Sequence, residues 1–219
     1  MKILGISHSF ANPSAALTVN GKVIAYAEEE RFLRDKNAKG KFPNYAIDYV
    51  LKEGGITIEE VDIIAQADDC QKYDTGYMER HFKNVNKEYP TCSVDIAYQK
   101  NRLNFFCSQR QKQIIQQNIL KQYGKIRLPD IKFVPHHLSH ALTAFFNSGF
   151  KESLVLSIDG SGEDITTAWW LGKNNRLKLL HEVKIPHSLG WFYSAFTEYL
   201  GFEAYDGEYK VMGLSLIHI

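Results

Sequence analysis

The sequence lacks most of the features that would place it in a specialised class. It has no apolar run approaching the ~20 residues that a membrane span needs, so no membrane role is expected. Its start lacks the basic residues and apolar stretch of a signal peptide, and Lys2–Ser7 reads as a strand. Cysteine is scarce: Cys70, Cys92 and Cys107 are odd in number and lack the close pairing of zinc sites. Free thiols in a reducing cytosol are the expectation. An excess of one charge is missing too. Against 25 acidic residues stand 26 Lys and Arg, and a net charge of +1 argues against a general polyanion binder. What is present is material for a core. With 219 residues, 44% of them hydrophobic, the chain can form one large domain or two small ones.

The punctuation of the first third is clear. Strands are expected over Lys2–Ser7, 15–19 and Lys22–Glu28, with a turn at Asn12-Pro13. Asn20-Gly21 between the second and third is a strong hairpin signal, because both central residues must take positive φ. After Phe42-Pro43, Ala46, Ile47, Val50 and Leu51 recur at helical spacing up to Gly54-Gly55. Thr57 and Glu60 can form a capping box ahead of a strand over 61–65. Beyond a looser stretch, a long helix is expected over 101–123, a strand over 132–135 and a helix over 136–147. The order then begins again: strand 153–159, a glycine turn 160–163, strand 165–171, Asn174-Asn175 in place of Asn20-Gly21, and strand 176–183. Such internal repetition takes priority in a sequence reading. A β-β-β-α-β-α-β unit followed by the start of another describes the α/β, duplicated ribonuclease-H-like fold of actins, sugar kinases and Hsp70 chaperones. The first copy is expected complete over 1–150 and the second partial over 151–213. That fold raises the expectation of nucleotide phosphates in a cleft without establishing it.

Three constellations carry chemistry. In Pro135-His136-His137-Leu138-Ser139-His140, the outer histidines are four apart and share one helix face, close enough to chelate one ion, while His137 points elsewhere. Two histidines are too few for a tight site, so a third ligand, a carboxylate, is expected from beyond this chain. In Asp159-Gly160-Ser161-Gly162-Glu163, the glycines let backbone N–H groups approach a phosphate, and Ser161 adds a hydroxyl. Asp159 could hold a metal-bound water or position an acceptor hydroxyl, and a tight polar turn is the ordinary alternative. Pro186-His187-Ser188-Leu189-Gly190 opens a helix, with His187 either catalytic or satisfied by backbone. Glu28-Glu29-Glu30-Arg31-Phe32 reads as a solvated edge. Lys100, Arg102, Arg110, Lys112, Lys121, Lys125 and Arg127, with no Asp or Glu between Asp95 and Asp130, read as a solvated helix ahead of an anion-binding face.

Six blocks then occur in order: Ser14-Ala15-Ala16-Leu17, Ala27-Glu28-Glu29-Glu30-Arg31-Phe32, His136-His137-Leu138-Ser139-His140-Ala141, Asp159-Gly160-Ser161-Gly162-Glu163, Pro186-His187-Ser188-Leu189-Gly190 and Glu208-Tyr209-Lys210-Val211-Met212-Gly213-Leu214. Together they resemble the O-carbamoyltransferases of nodulation factors and antibiotics, whose duplicated domain is related to the tRNA threonylcarbamoyl transferase. The resemblance implies an enzyme that takes carbamoyl-adenylate, made from ATP and carbamoyl phosphate in a carboxy-terminal domain absent here, and passes the carbamoyl group to a hydroxyl of a small-molecule or oligosaccharide acceptor. It implies an iron-type divalent metal on His136 and His140, catalytic roles for Asp159 and His187, and cofactor contacts at Ser14, Gly160, Ser161, Gly162 and Lys210. Two departures stand out: many members carry a histidine where this chain has Ala11-Asn12, and another where it has Asn37.

The resembled proteins are longer, so the chain is expected to be truncated and inactive alone. Residues 214–219 match one reading frame of a transposon adapter used in DNA library preparation and are expected to be non-native. A non-catalytic nucleotide-binding regulator and a tRNA-modifying transferase are the rival readings on the same fold. The histidine pair disfavours the first. The lack of aromatics interleaved in a broad basic patch disfavours the second, and nucleic acid with it.

Overall fold

The computed structural model describes residues 1–8 and 11–216. Part of the first turn, Ser9 and Phe10, and the end of the expected non-native tail, 217–219, lie outside the described residues. The described chain divides into two compact units, one formed by 1–80 with 91–135 and the other by 81–90 with 136–219.

In the first unit, β1 (Lys2–Ser7) pairs antiparallel with β2 (Ser14–Val19), and β2 pairs antiparallel with β3 (Lys22–Glu28). On its other side β1 runs parallel to β4 (Ile63–Gln66), which runs parallel to β5 (Asp130–Phe133), giving the order β3-β2-β1-β4-β5. With α1 (Glu30–Leu33) and α2 (Asn44–Gly54) before β4, and α3 (Cys70–Asp74), α4 (Tyr77–Glu88) and two longer helices before β5, this is the β-β-β-α-β-α-β unit of the ribonuclease-H-like fold. Asn20 and Gly21 take φ of 51° and 79°, as the first hairpin requires. Leu4, Ile6, Leu17 and Ile64 alternate onto one sheet face and meet Ala46, Ile47, Val50 and Leu51 of α2 in one buried core.

Three local expectations change. The helix expected over 101–123 is two: α5 (Ser93–Phe105) and α6 (Ser108–Tyr123). Between them Phe106 is buried and stacks on Tyr73 with ring centroids 5.3 Å apart, Cys107 is extended, and the Asp74 carboxylate accepts the Ser108 N–H at 2.9 Å. The break is thus set by tertiary contacts, with neither Gly nor Pro to announce it. The Thr57–Glu60 capping box forms, but on a 3-10 turn, and the strand starts two residues later than expected. The acidic run is no solvated edge: Glu29 and Glu30 are buried, and Glu29 accepts the N–H groups of Tyr45 and Ala46 at the start of α2.

The second unit opens as the first does, with an antiparallel meander followed by a helix: β6 (Glu152–Gly162), β7 (Ile165–Lys173), β8 (Arg176–Lys184) and α8 (Leu189–Tyr199). Asn174 and Asn175 make its second hairpin with φ of 51° and 57°. The glycines expected in a turn at 160–163 instead extend β6 to Gly162, and the chain reverses at Glu163-Asp164. Helix α7 (His136–Ser148) groups with this unit, so the division falls before His136 where the sequence suggested residue 150. The reason is packing: Ala141 and Phe145 of α7 share a buried cluster with Val155, Ile165, Ala168 and Trp170, and the Phe145 ring lies where a side chain on Gly172 would stand. A last helix, α9, covers Glu208–Leu216. Among the described residues no helix is long and apolar enough to cross a membrane.

Candidate metal centre

Helix α7 begins at His136, and its first turn presents His136 and His140 on one face. Its free N–H end is met by a carboxylate. Glu163, buried and held at a φ of +44°, accepts the His136 N–H through both oxygens at 3.4 Å, where the helix dipole favours negative charge. The second contributor is β6. Its ladder to β7 runs regularly as far as Ile158↔Thr167 and resumes at Gly162↔Ile165, so residues 159–161 lie opposite Thr166 alone. This bulge swings Asp159 toward α7. Asp159 Oδ2 lies 2.8 Å from His136 Nε2 and 3.4 Å from His140 Nε2, and the two Nε2 atoms are 3.0 Å apart.

Glycines make the approach possible. A Cβ on Gly162 would stand 2.5 Å from the His136 ring, and one on Gly190 only 2.5 Å from the Gly160 backbone nitrogen. Gly190 lies in the first turn of α8, whose N-cap Ser188 accepts the Trp191 N–H at 3.1 Å and donates its hydroxyl to the Gly160 carbonyl at 2.7 Å. The start of α8 therefore clasps the bulge from the other side.

Burial pushes the Asp159 carboxyl up, but hydrogen bonds from His136 and His140 and the charge of His136 outweigh it and leave the group well below the usual carboxylate range. His137 is committed elsewhere: Nδ1 meets Ser157 Oγ at 2.8 Å and Nε2 meets the Ile165 carbonyl at 3.0 Å, inside the core. Burial and the neighbouring His136 lower its pKa to about 4, so it is neutral.

The donor set fits a divalent ion. Ligand atoms about 2.1 Å from one ion and roughly 90–110° apart lie about 3.0–3.4 Å from each other. The separations here are close to those values, and all three ligand atoms fall within 4.8 Å of one another. Two imidazoles and one carboxylate with open positions is the pattern of non-haem ferrous sites. The third ligand, a carboxylate expected from beyond the chain, is therefore available within it as Asp159.

Of the other candidate residues, those of the bulge adjoin this cluster. The Gly160 and Gly162 backbones form the bulge, with Ser161 between them. His187 has an exposed ring whose Nε2 is 3.1 Å from the Tyr89 hydroxyl, while its carbonyl accepts from Thr166 Oγ1. Lys210 is exposed on α9, its ammonium 5.6 Å from the Tyr209 ring. Ser14 is half-buried on β2 in the first unit, across from Ser7 and Glu28. There too the two positions of departure adjoin: the Asn12 N–H donates to the Asn37 carbonyl at 2.8 Å. Glu163 and Gly190 lay inside quoted motifs yet carried no assigned role, because only the fold brings them against His136 and Asp159.

A family model described as "Carbamoyltransferase N-terminus" matches residues 2–217. The uncharacterized protein sll1178 of Synechocystis sp. is 38% identical over 224 residues, covering 97% of this chain and 34% of that protein. The nodulation protein NolNO of Sinorhizobium fredii is 33% identical over 214 residues, covering 97% of this chain and 28% of that protein. The chain thus spans about a third of the length of these curated relatives. Among solved structures, YeaZ from Pseudomonas aeruginosa is similar at a TM-score of 0.41 and 15% identity, covering 84% of this chain and 67% of that one.

Proposed function

The chain belongs to the carbamoyltransferase N-terminus family, and from that premise we propose that it is the transfer part of an ATP-dependent O-carbamoyltransferase. Its substrate in this reading is carbamoyl-adenylate, made from ATP and carbamoyl phosphate by a further domain, and its acceptor is a hydroxyl of a small molecule or oligosaccharide. The oxygen of that hydroxyl bonds to the carbamoyl carbon, the bond from that carbon to the phosphate oxygen breaks, and AMP leaves. The hydroxyl proton passes to a base.

The observation that carries the reading is the convergence of His136, His140 and Asp159. A divalent ion of the iron type held there would supply positive charge against the phosphate of the leaving group. The residues' own part is to fix that charge in place. The bulge fixes Asp159 beside the pair, and the His137 bonds anchor the helix that presents it. The Gly160–Gly162 backbone and the Ser161 hydroxyl are assigned to the phosphate oxygens in this proposal. His187, tied through its carbonyl to Thr166 opposite the bulge, is the proposed proton acceptor. Ser14 and Lys210 are assigned to the nucleotide in the same proposal.

Elemental analysis of the purified chain and its single variants tests the centre. His136→Ala, His140→Ala and Asp159→Ala are expected to lose the ion, while His137→Ala keeps it at lower stability. Full metal occupancy in any of the first three would reduce the cluster to a structural hydrogen-bond network and remove the support for this reading.

A further inference from the structure

The basic stretch between Asp95 and Asp130, which contains no acidic residue, has no part in the His136–His140–Asp159 chemistry. Lys112 and Gln116 stand four residues apart on α6, so they share one face of it, and both are exposed. The chain after α6 returns to this face. Arg127, Leu128 and Pro129, on the way into β5, line one cavity together with Lys112 and Gln116, with a volume of about 360 Å³. That volume suits a small molecule. β5 ends the strand order of its sheet, so no described strand pairs with its outer side.

The charges around the cavity do not balance. Asp130 lines it too, but its carboxylate is engaged: Lys132 Nζ donates to Asp130 Oδ2 at 2.6 Å, and the Ile131 N–H reaches the same group. The Lys132 bond, aided by the charges of Lys132 and Lys112, holds that carboxyl below the usual carboxylate range although it is exposed to water. Lys112 and Arg127 are left over. Neither head group makes a hydrogen bond or ion pair with another described residue, and the Gln116 amide is likewise uncommitted. Two cations brought to one cavity by different segments repel each other, and an anion between them reverses the sign of that interaction.

The rest of the wall is apolar and stiff. Leu128 is half-buried, and Pro129 and Ile131 are buried. Pro129 has a fixed φ and keeps Leu128 out of helical backbone, so Arg127 is presented from a restrained segment.

We propose that this cavity is a binding site for a small phosphate dianion, free or as the monoester of a compact alcohol, with Arg127 and Lys112 on the phosphate oxygens and the Gln116 amide as a further donor. The class follows from the groups present. A guanidinium fork matches paired phosphate oxygens, an ammonium adds a second point charge, and a glutamine amide donates without adding charge. Two uncommitted cations match two negative charges. A nucleic-acid backbone is the poorer match, because none of the lining residues is an aromatic on which a base could stack. The site lies within the first unit and stands whether or not the transfer reading does.

The test is isothermal titration of the chain with inorganic phosphate, glycerol 3-phosphate and a single-stranded RNA oligonucleotide, with EDTA present so that no phosphate is held at a metal. It is repeated on Lys112→Ala, Arg127→Ala, Asp130→Asn and Lys125→Ala. Expected is one saturable site for phosphate, with affinity about tenfold lower in Arg127→Ala and severalfold lower in Lys112→Ala. Asp130→Asn is expected to bind more tightly, because a competing negative charge is gone and Lys132 is released. Lys125→Ala, which removes an exposed cation outside the cavity, is expected to bind as the parent does. Tighter binding of glycerol 3-phosphate than of phosphate identifies the monoester, through the apolar wall; equal affinity identifies free phosphate. Absence of saturable binding overturns the proposal, and so does an equal loss in Lys125→Ala and Arg127→Ala. RNA bound more tightly than either phosphate, and weakened alike by all three cation substitutions, overturns it in favour of a polyanion face.

Discussion

Two buried neutral histidines make stability depend on acid. His8 and His137 are 6% and 1% exposed, and burial lowers both pKa values to about 4 from a reference of 6.5. The unfolded chain therefore takes up protons below pH 6.5 that the folded chain refuses, and stability falls as pH drops from about 6.5 toward 4. Each histidine accounts for on the order of 2–3 kcal/mol over that window. Urea midpoints measured across it are expected to lose much of their slope in His8→Leu, with the remainder due mainly to His137. A second residue-scale expectation concerns Gly162. An added methyl would press the His136 ring from 2.5 Å, so Gly162→Ala is expected to displace that ring and weaken metal binding at least tenfold while costing about 1–3 kcal/mol. Isothermal titration with a divalent metal checks the first part and thermal unfolding the second. At this scale the sequence was informative about spacing and silent about company. The four-residue step from His136 to His140 is readable from helical geometry. That Asp159 completes the set is not, because nothing in the chain's order says that a bulge in β6 will face α7.

The elements show the same division between local and tertiary causes. The Asn20-Gly21 and Asn174-Asn175 hairpins, α2 with its apolar stripe and the Thr57–Glu60 capping box follow from local chemistry and were legible. The break between α5 and α6 was not, since Phe106 leaves the helix to stack on Tyr73, a partner far away in sequence. Nor was the burial of Glu29 and Glu30, whose backbone partners are the first turn of α2 for Glu29 and the Asn37 N–H for Glu30. The junction of α8 with β6 offers a test of how tightly elements shape the centre. Ser188 caps α8 and holds the Gly160 carbonyl with the same hydroxyl. Ser188→Ala is expected to cost about 1–2 kcal/mol from the lost cap, and to weaken metal binding severalfold because the bulge carrying Asp159 is no longer clasped. A variant with the stability loss but unaltered metal affinity would show that the bulge holds its shape by itself.

Over the whole chain, the two units close their sheets differently. In the first, β1 is paired on both sides, and residues of β1, β2 and β4 share a buried core with α2 and α6. In the second, the sheet order is β6-β7-β8, so β6 is an edge strand. Leu154, Leu156 and Ile158 on β6 are 63%, 50% and 53% exposed, and Phe192, Phe196 and Tyr199 of α8 are exposed as well. On the next strand Trp169 is half-buried. Trp170 is in fact buried against α7, which the sequence had placed in the other unit. An edge strand with an uncovered apolar face opens at low free energy and recruits other chains. Hydrogen exchange is therefore expected to be slow at β1 and β4 and much faster at β6, with β7, paired on both sides, in between. Soluble aggregates should form as concentration rises, and Leu154→Lys with Leu156→Lys should suppress them without altering protection in the first unit. Equal protection of β1 and β6 would mean that the second unit is as stable as the first despite its open edge, and that α7 alone suffices to hold the sheet that carries Asp159.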